Sequence, residues 1–218
     1  MPRVRQAVAF AFLVSIVAVL MSCGGSKPAP VSEQPKAEPV EVKQPAPYTA
    51  KACLSRMTDM AARWQMDAIP VRLESAVNDE ATGADGKSTI WKATFASAGK
   101  RAWKTFTCSG SRLKGAAPFG VTGDREMQLG PNDIIHGFSP LYVQVDSDKA
   151  FSIAQDHGGA NLLKKDPKQP VYYMLALNSN AKSIEWYVSY GTDLKETKGI
   201  GIIDAGTGKY LRTAAGAK

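Results

Sequence analysis

A tryptophan followed four residues later by a second aromatic occurs twice in this chain, as Trp91/Phe95 and Trp186/Tyr190. Each pair sits in the middle of the same order of elements. The first set opens at Thr49, a candidate N-cap, after which Ala50, Cys53, Leu54, Met57, Ala61 and Trp64 recur at helical spacing. Ile69, Val71 and Leu73 then alternate with Pro70, Arg72 and Glu74, which predicts a strand. A loop over 78–88 carries the turn signal Asp85-Gly86. It leads to a strand with Trp91, Ala93 and Phe95 on one face, and then to a strand over Ala102–Cys108.

The second set opens at Ser147 with a helix through Ala150, Phe151, Ala154 and His157, which Gly158-Gly159 is expected to stop. Pro170 precedes a strand over Val171–Leu177, and Ile184, Trp186, Val188 and Tyr190 share a face of the next. A strand over Gly199–Asp204, a turn through Ala205-Gly206-Thr207-Gly208 and a short strand at Tyr210 and Leu211 complete it. Pro-Val opens the first strand of both sets. The expectation is therefore an α+β chain of two tandem helix-plus-antiparallel-sheet units, 48–110 and 147–214. Between them, 111–146 is rich in Gly and Pro and reads as a β-rich hairpin connector ending in a strand over Leu141–Val145. Chance similarity of two helix-plus-meander segments is the alternative, and the matched tryptophan spacing argues against it.

Residues 1–22 read as a lipoprotein signal peptide. Arg3 and Arg5 are followed by an uncharged apolar run from Ala7 to Met21, and Leu20-Met21-Ser22-Cys23 resembles a lipobox, with Met21 its one departure. An ordinary cleaved signal or an N-terminal anchor helix is the alternative. On the lipobox reading Cys23 carries the lipid, and Gly24 after it points to the outer membrane, facing the periplasm. Residues 23–47 follow as a proline-rich segment with Lys and Glu in equal number. Such a composition cannot bury enough apolar surface to order itself, so it is expected to act as a semi-stiff tether.

Export bears on the cysteines. Of three, Cys23 is taken by lipid, which leaves Cys53 and Cys108 as a candidate disulfide in an oxidising compartment. The bond would close a loop of about 56 residues, worth about 4 kcal/mol in the chain-entropy picture. Two buried free thiols are the alternative. The 27 basic and 20 acidic residues give a net charge of +7, but no Lys/Arg run exceeds two residues. That is a mildly basic surface and not a nucleic-acid footprint.

The second set resembles a PepSY domain in its Trp186-Tyr187-Val188 strand and its Ile203-Asp204-Ala205-Gly206-Thr207-Gly208-Lys209 ending. The first resembles a divergent copy in which Cys108-Ser109-Gly110 replaces that ending. The resemblance implies a helix packed over an antiparallel sheet and links the chain to propeptides that inhibit metallopeptidases and to exported domains. It supplies no catalytic set. Physically, Asp204 is expected to accept backbone N–H groups in a turn, Gly206 and Gly208 to supply positive φ, and Trp186 to fill the core.

Little else carries chemistry. The Gly206-Thr207-Gly208-Lys209 segment lacks the spacing and the Ser/Thr of a phosphate loop. His136 and His157 have no His or Cys at ligand spacing, and no nucleophile elbow is present, so neither metal, cofactor nor catalytic residue is expected. The candidate partner surface is Tyr172, Met174 and Tyr187, with Trp103 in the first set, all assigned to the sheet face away from the helices. Packing of that face against the other unit or the connector is the alternative. The sequence thus points to a lipid-anchored, non-catalytic binding protein with an unknown protein or peptide partner. An inhibitor of an exported peptidase or a small-ligand carrier are the other readings.

Overall fold

The computed structural model describes residues 44–215, so the signal peptide, Cys23 and most of the proline-rich segment lie outside the described residues. Helix α1 (Ala50–Trp64) turns Ala50, Cys53, Leu54, Met57 and Ala61 inward, as the helical spacing predicts. It lies on an antiparallel meander of β1 (Ile69–Ser75), β2 (Ile90–Ser97) and β3 (Ala102–Ser109). Later in the chain α2 (Ser147–Ala154) and α3 (Ala160–Lys165) accompany β6 (Tyr172–Asn178), β7 (Ser183–Gly191), β8 (Thr197–Asp204) and β9 (Tyr210–Ala214). Two short strands, β4 (Gly120–Gly123) and β5 (Met127–Gln128), complete the set.

All nine strands belong to one sheet in the order β4-β3-β2-β1-β6-β7-β8-β9, with β5 also on β3. Its centre is the antiparallel pairing of β1 with β6, where Arg72 faces Ala176, Leu73 faces Leu175 and Glu74 faces Met174. The strand alternation decides what each face holds. Leu73, Trp91, Ala93, Phe95, Phe106, Tyr173, Leu175, Trp186, Val188 and Ile203 point toward the helices and make one continuous core across both meanders. Trp91 and Trp186 are fully buried, and each finds an acceptor for its indole N–H two residues before a helix begins. Trp91 Nε1 donates to the Tyr48 carbonyl and Trp186 Nε1 to the Val145 carbonyl, both at 2.9 Å.

Several expectations are corrected. Leu141–Val145 is not a strand: Pro140–Tyr142 is a 3₁₀ turn capped by Ser139, and Leu141 and Tyr142 are exposed. Pro140 cannot donate to a ladder, which favours the turn. The connector contributes only β4 and β5, which pair with β3 and not with each other. The helix begun at Ser147 does stop at Gly158-Gly159, because His157 and Gly158 leave helical dihedrals, with Gly158 at φ +109°. What the sequence did not show is a second short helix, α3, starting directly afterwards. In β1 the face assignment slips, because a bulge between Pro70 and Arg72 breaks the alternation, leaving Ile69 exposed and Val71 half-buried. The tether also gives way to fold earlier than Tyr48, since the Ala46 N–H already donates to the Gly110 carbonyl at 2.9 Å.

The turn after β8 forms as expected at Asp204, whose Oδ1 accepts from the N–H groups of Gly206 (2.9 Å) and Thr207 (2.7 Å). Gly208 has φ +77°, but Gly206 does not have positive φ.

Candidate functional site

The two cysteines among the described residues meet. Cys53 of α1 and Cys108 of β3, both fully buried, form a disulfide across Cα atoms 5.6 Å apart that ties the helix to the sheet. Lipidation of Cys23 concerns a position outside the described residues.

The candidate surface residues occupy the sheet face away from the helices. Glu74, Met174, Tyr187, Ile202 and Arg212 are direct cross-strand neighbours on β1, β6, β7, β8 and β9, and so form one ladder across that face. Tyr172 and Met174 are more covered than a contact surface would have them, at 6% and 9% exposure, while Tyr187 is half-buried. The reason is polar as well as apolar. Tyr172 Oη donates to Glu74 at 2.8 Å and accepts from Arg72 Nη2 at 3.3 Å, and Arg72 pairs with Glu74 at 2.6 Å. On the other side Tyr187 Oη donates to Glu185 at 2.9 Å, and Arg212 reaches the same carboxylate at 3.2 Å. Two tyrosines thus lie pinned by a carboxylate and an arginine each.

Glu185 is fully covered, and sequence reasoning missed it. Burial by itself would raise its pKa, but hydrogen bonds from Tyr187, Arg212 and Asn178 outweigh that and hold the carboxyl below the ordinary value. Burial, followed by the hydrogen bond to a carboxylate, pushes the Tyr187 phenol up to about 12. Tyr172 is also pushed up to about 12, by burial first, with the Arg72 hydrogen bond working against it. The signal for Glu185 was present in its place between Ile184 and Trp186 on a strand, where a carboxylate shares the face of Tyr187.

Trp103 lies on the same sheet face, at the other end. Ile69, Ala96, Trp103 and Met127 form a second direct ladder across β1, β2, β3 and β5. Trp103 is half-buried, and its Nε1 is closed off from solvent with no hydrogen-bond acceptor. The remaining motifs do not converge. His157 stacks on Tyr210 at 3.9 Å and its Nδ1 meets the Ile153 carbonyl, while His136 lies in the connector. Among the described residues no three His, Cys, Asp or Glu side chains gather as a metal site would require. No helix among them is long and apolar enough to cross a membrane.

No family model matches the chain, and no curated protein does at a significant level. Among solved structures, the chain resembles a provisionally named lipoprotein from Clostridium difficile 630, with a TM-score of 0.50 and 13% sequence identity. The match covers 80% of this chain and 95% of that one. At such identity the likeness is one of fold: an α+β arrangement of helices on a large antiparallel sheet.

Proposed function

We propose that this chain is a lipid-anchored, exported and non-catalytic binding protein that engages a protein or peptide in the cell envelope, probed through the sheet face opposite its helices. The observation that carries the reading is that face. Among the described residues the helices pack on one side of the sheet, and the other side carries the half-buried Tyr187 over the covered Tyr172 and Met174, and the Trp103 ladder with Met127 exposed. The sheet edges are poor docking strands by comparison. β4 and β5 are four and two residues long, and β9 carries a bulge at its pairing with Ile202 and Ile203.

Three further observations support the reading. The lipobox at Cys23 supports lipid anchoring, with Gly24 favouring the outer membrane and its periplasmic side. The name of the Clostridium difficile protein of similar fold is consistent with a lipoprotein. The matched tryptophan geometry, with each indole bonded just ahead of a helix, supports two tandem PepSY-like units that share one sheet.

The test is crosslinking in native cells followed by pull-down, with Cys23→Ala and a Tyr172→Ser/Tyr187→Ser double variant alongside the unaltered protein. The reading expects membrane association to be lost with Cys23→Ala, and a crosslinked protein to be lost with the double variant while its circular dichroism stays native. Membrane association that survives Cys23→Ala, or no crosslinked species at all, would sink it.

A further inference from the structure

We propose that the rim at which the chain enters the fold, made of Tyr48, Arg56 and the 111–119 loop, rests on the phospholipid surface of the membrane that holds the lipid at Cys23. This rests on the lipid-anchor reading above and adds which way the protein faces.

The entry point is fixed by backbone contacts. The Ala46 N–H donates to the Gly110 carbonyl at 2.9 Å, and Tyr48 and Ser88 exchange two further backbone bonds. A Cβ on Gly110 would collide with the Ala46 carbonyl and the Tyr48 ring, so glycine is what lets the entering chain lie this close. Residues 24–43 separate Cys23 from the first described residue, Gln44, and so short a stretch cannot span more than about 70 Å. A bilayer tied to Cys23 is therefore always within reach, and the surface beside the entering chain has the shortest path to it. Under such tethering a contact too weak to hold a free protein is enough, because it forms within one molecule.

The loop that follows Gly110 is held in shape. Ser109 Oγ donates to the Ala117 carbonyl at 2.9 Å, and the N–H groups of Ser111 and Leu113 each donate to a serine hydroxyl two residues back. The Arg112 N–H donates to Glu80 at 2.7 Å. These bonds satisfy the backbone and leave the side chains of Arg112, Leu113, Lys114 and Phe119 in water, with Leu113 at 39% and Phe119 at 49% exposure. Large apolar side chains held in water beside basic ones suit a membrane surface. The apolar groups enter the headgroup layer, and the cations reach phosphate on their flexible stems.

Both aromatic rings of the rim carry a guanidinium. Arg56 lies over Tyr48, 4.6 Å from the ring centre, and Arg112 over Phe119 at 4.1 Å. Among the described residues Arg56, Arg112 and Lys114 make no ion pair. Glu80 is taken by the Arg112 N–H, and its other oxygen is closed off from solvent. The exposed Asp79 and Asp59 leave the cations in excess. Each cation at an anionic bilayer surface adds about fivefold to the attraction. With this rim down, β2 and β3 rise from the bilayer along their length, and the sheet face opposite the helices stays open to a partner.

The test uses the full-length lipidated protein in vesicles of phosphatidylethanolamine and phosphatidylglycerol that carry a doxyl-labelled phospholipid as quencher. A fluorophore is placed on the loop by Ala116→Cys, or by Asn180→Cys in the β6–β7 turn at the opposite end of the sheet. The label on the loop should be quenched and the label at the far turn should not. Arg56→Gln/Arg112→Gln/Lys114→Gln, all at exposed positions, should lower the ratio of seated to unseated protein about a hundredfold. Leu113→Ser/Phe119→Ser should lower it as well, with a native melting temperature in both variants. Equal quenching at the two labels, quenching at neither, or loop quenching that either variant leaves unchanged would overturn the seated orientation. In those cases the protein still floats with the vesicles and the anchor reading stands. Protein that does not float with them counts against the anchor itself.

Discussion

The Ala50 N–H at the start of α1 donates to Ser147 Oγ at the start of α2, at 2.9 Å, although the two residues are 97 positions apart. Asp146 takes the next donor, Lys51 N–H, also at 2.9 Å, and the N-cap residue of α1, Thr49, makes no side-chain cap bond. The two helices therefore begin at a shared polar joint. Ser147→Ala is expected to cost about 1–2 kcal/mol, because it strips a cap and leaves a buried N–H unpaired. Thr49→Ala should cost less than about 0.5 kcal/mol. Urea unfolding of both variants checks the contrast, and equal losses would refute the joint.

The disulfide joins α1 to β3 over a sequence separation of 55. Replacing both Cys53 and Cys108 with Ala is expected to lower unfolding free energy by about 4 kcal/mol, chiefly by loosening the unfolded chain. Denaturant curves for the double variant and the oxidised protein measure it.

Acid should weaken the molecule through Glu185. Its folded pKa lies below the ordinary 4.5, so its contribution is complete above that value and is lost as pH falls through the folded pKa. Glu185→Gln should therefore flatten the acid limb of a plot of Tm against pH. An unchanged limb would show that the Tyr187 and Arg212 contacts do not hold the charge.

At the alkaline end the sign reverses. Tyr172 and Tyr187 have folded pKa values of about 12 against an ordinary 10, so the neutral phenols stabilise the fold fully below 10. That contribution disappears as pH rises through about 12. Phenolate absorbance should show two late-titrating tyrosines fewer in the Tyr172→Phe/Tyr187→Phe variant.

The bend after α2 gives a steric prediction. A Cβ on Gly159 would collide with the Tyr190 hydroxyl, which Gln155 holds by a 2.7 Å hydrogen bond. Gly159→Ala should cost about 2–3 kcal/mol by overpacking. A Cβ on Gly158 meets nothing within 4 Å, so Gly158→Ala should cost less, about 1–2 kcal/mol, from its φ of +109° alone. Thermal melts of the two variants separate clash from backbone strain.

Local pattern carried the elements whose residues answer to their own neighbours. Helical spacing identified the inward face of α1, alternation placed Trp91, Ala93 and Phe95 together, and the Asp204 turn followed from a short acceptor side chain beside glycines. It failed where another part of the chain intervened. Leu141–Val145 looks like a strand, yet it has no neighbouring strand and turns instead at Pro140. Gly158-Gly159 does break the helix, but the short helix α3 that follows it was not legible in the local pattern.

The candidate site divides in the same way. That Trp103, Tyr172, Met174 and Tyr187 share a sheet face was legible, because period two assigns faces without reference to partners. How covered each one is was not, since Glu74 and Arg72 reach Tyr172 from β1, and Arg212 reaches from β9 the Glu185 carboxylate that holds Tyr187. By itself the sequence determined the first helix and the main strands of each set, the inward Trp91 and Trp186 and the cysteines available to pair, all set by spacing along the chain. Only the tertiary structure decided that the two meanders merge through β1 and β6 into one sheet, that the helices begin at a common joint, and that Trp103 keeps an unpaired N–H. Those outcomes depend on the register between strands and on groups roughly a hundred residues apart, and no local period encodes either.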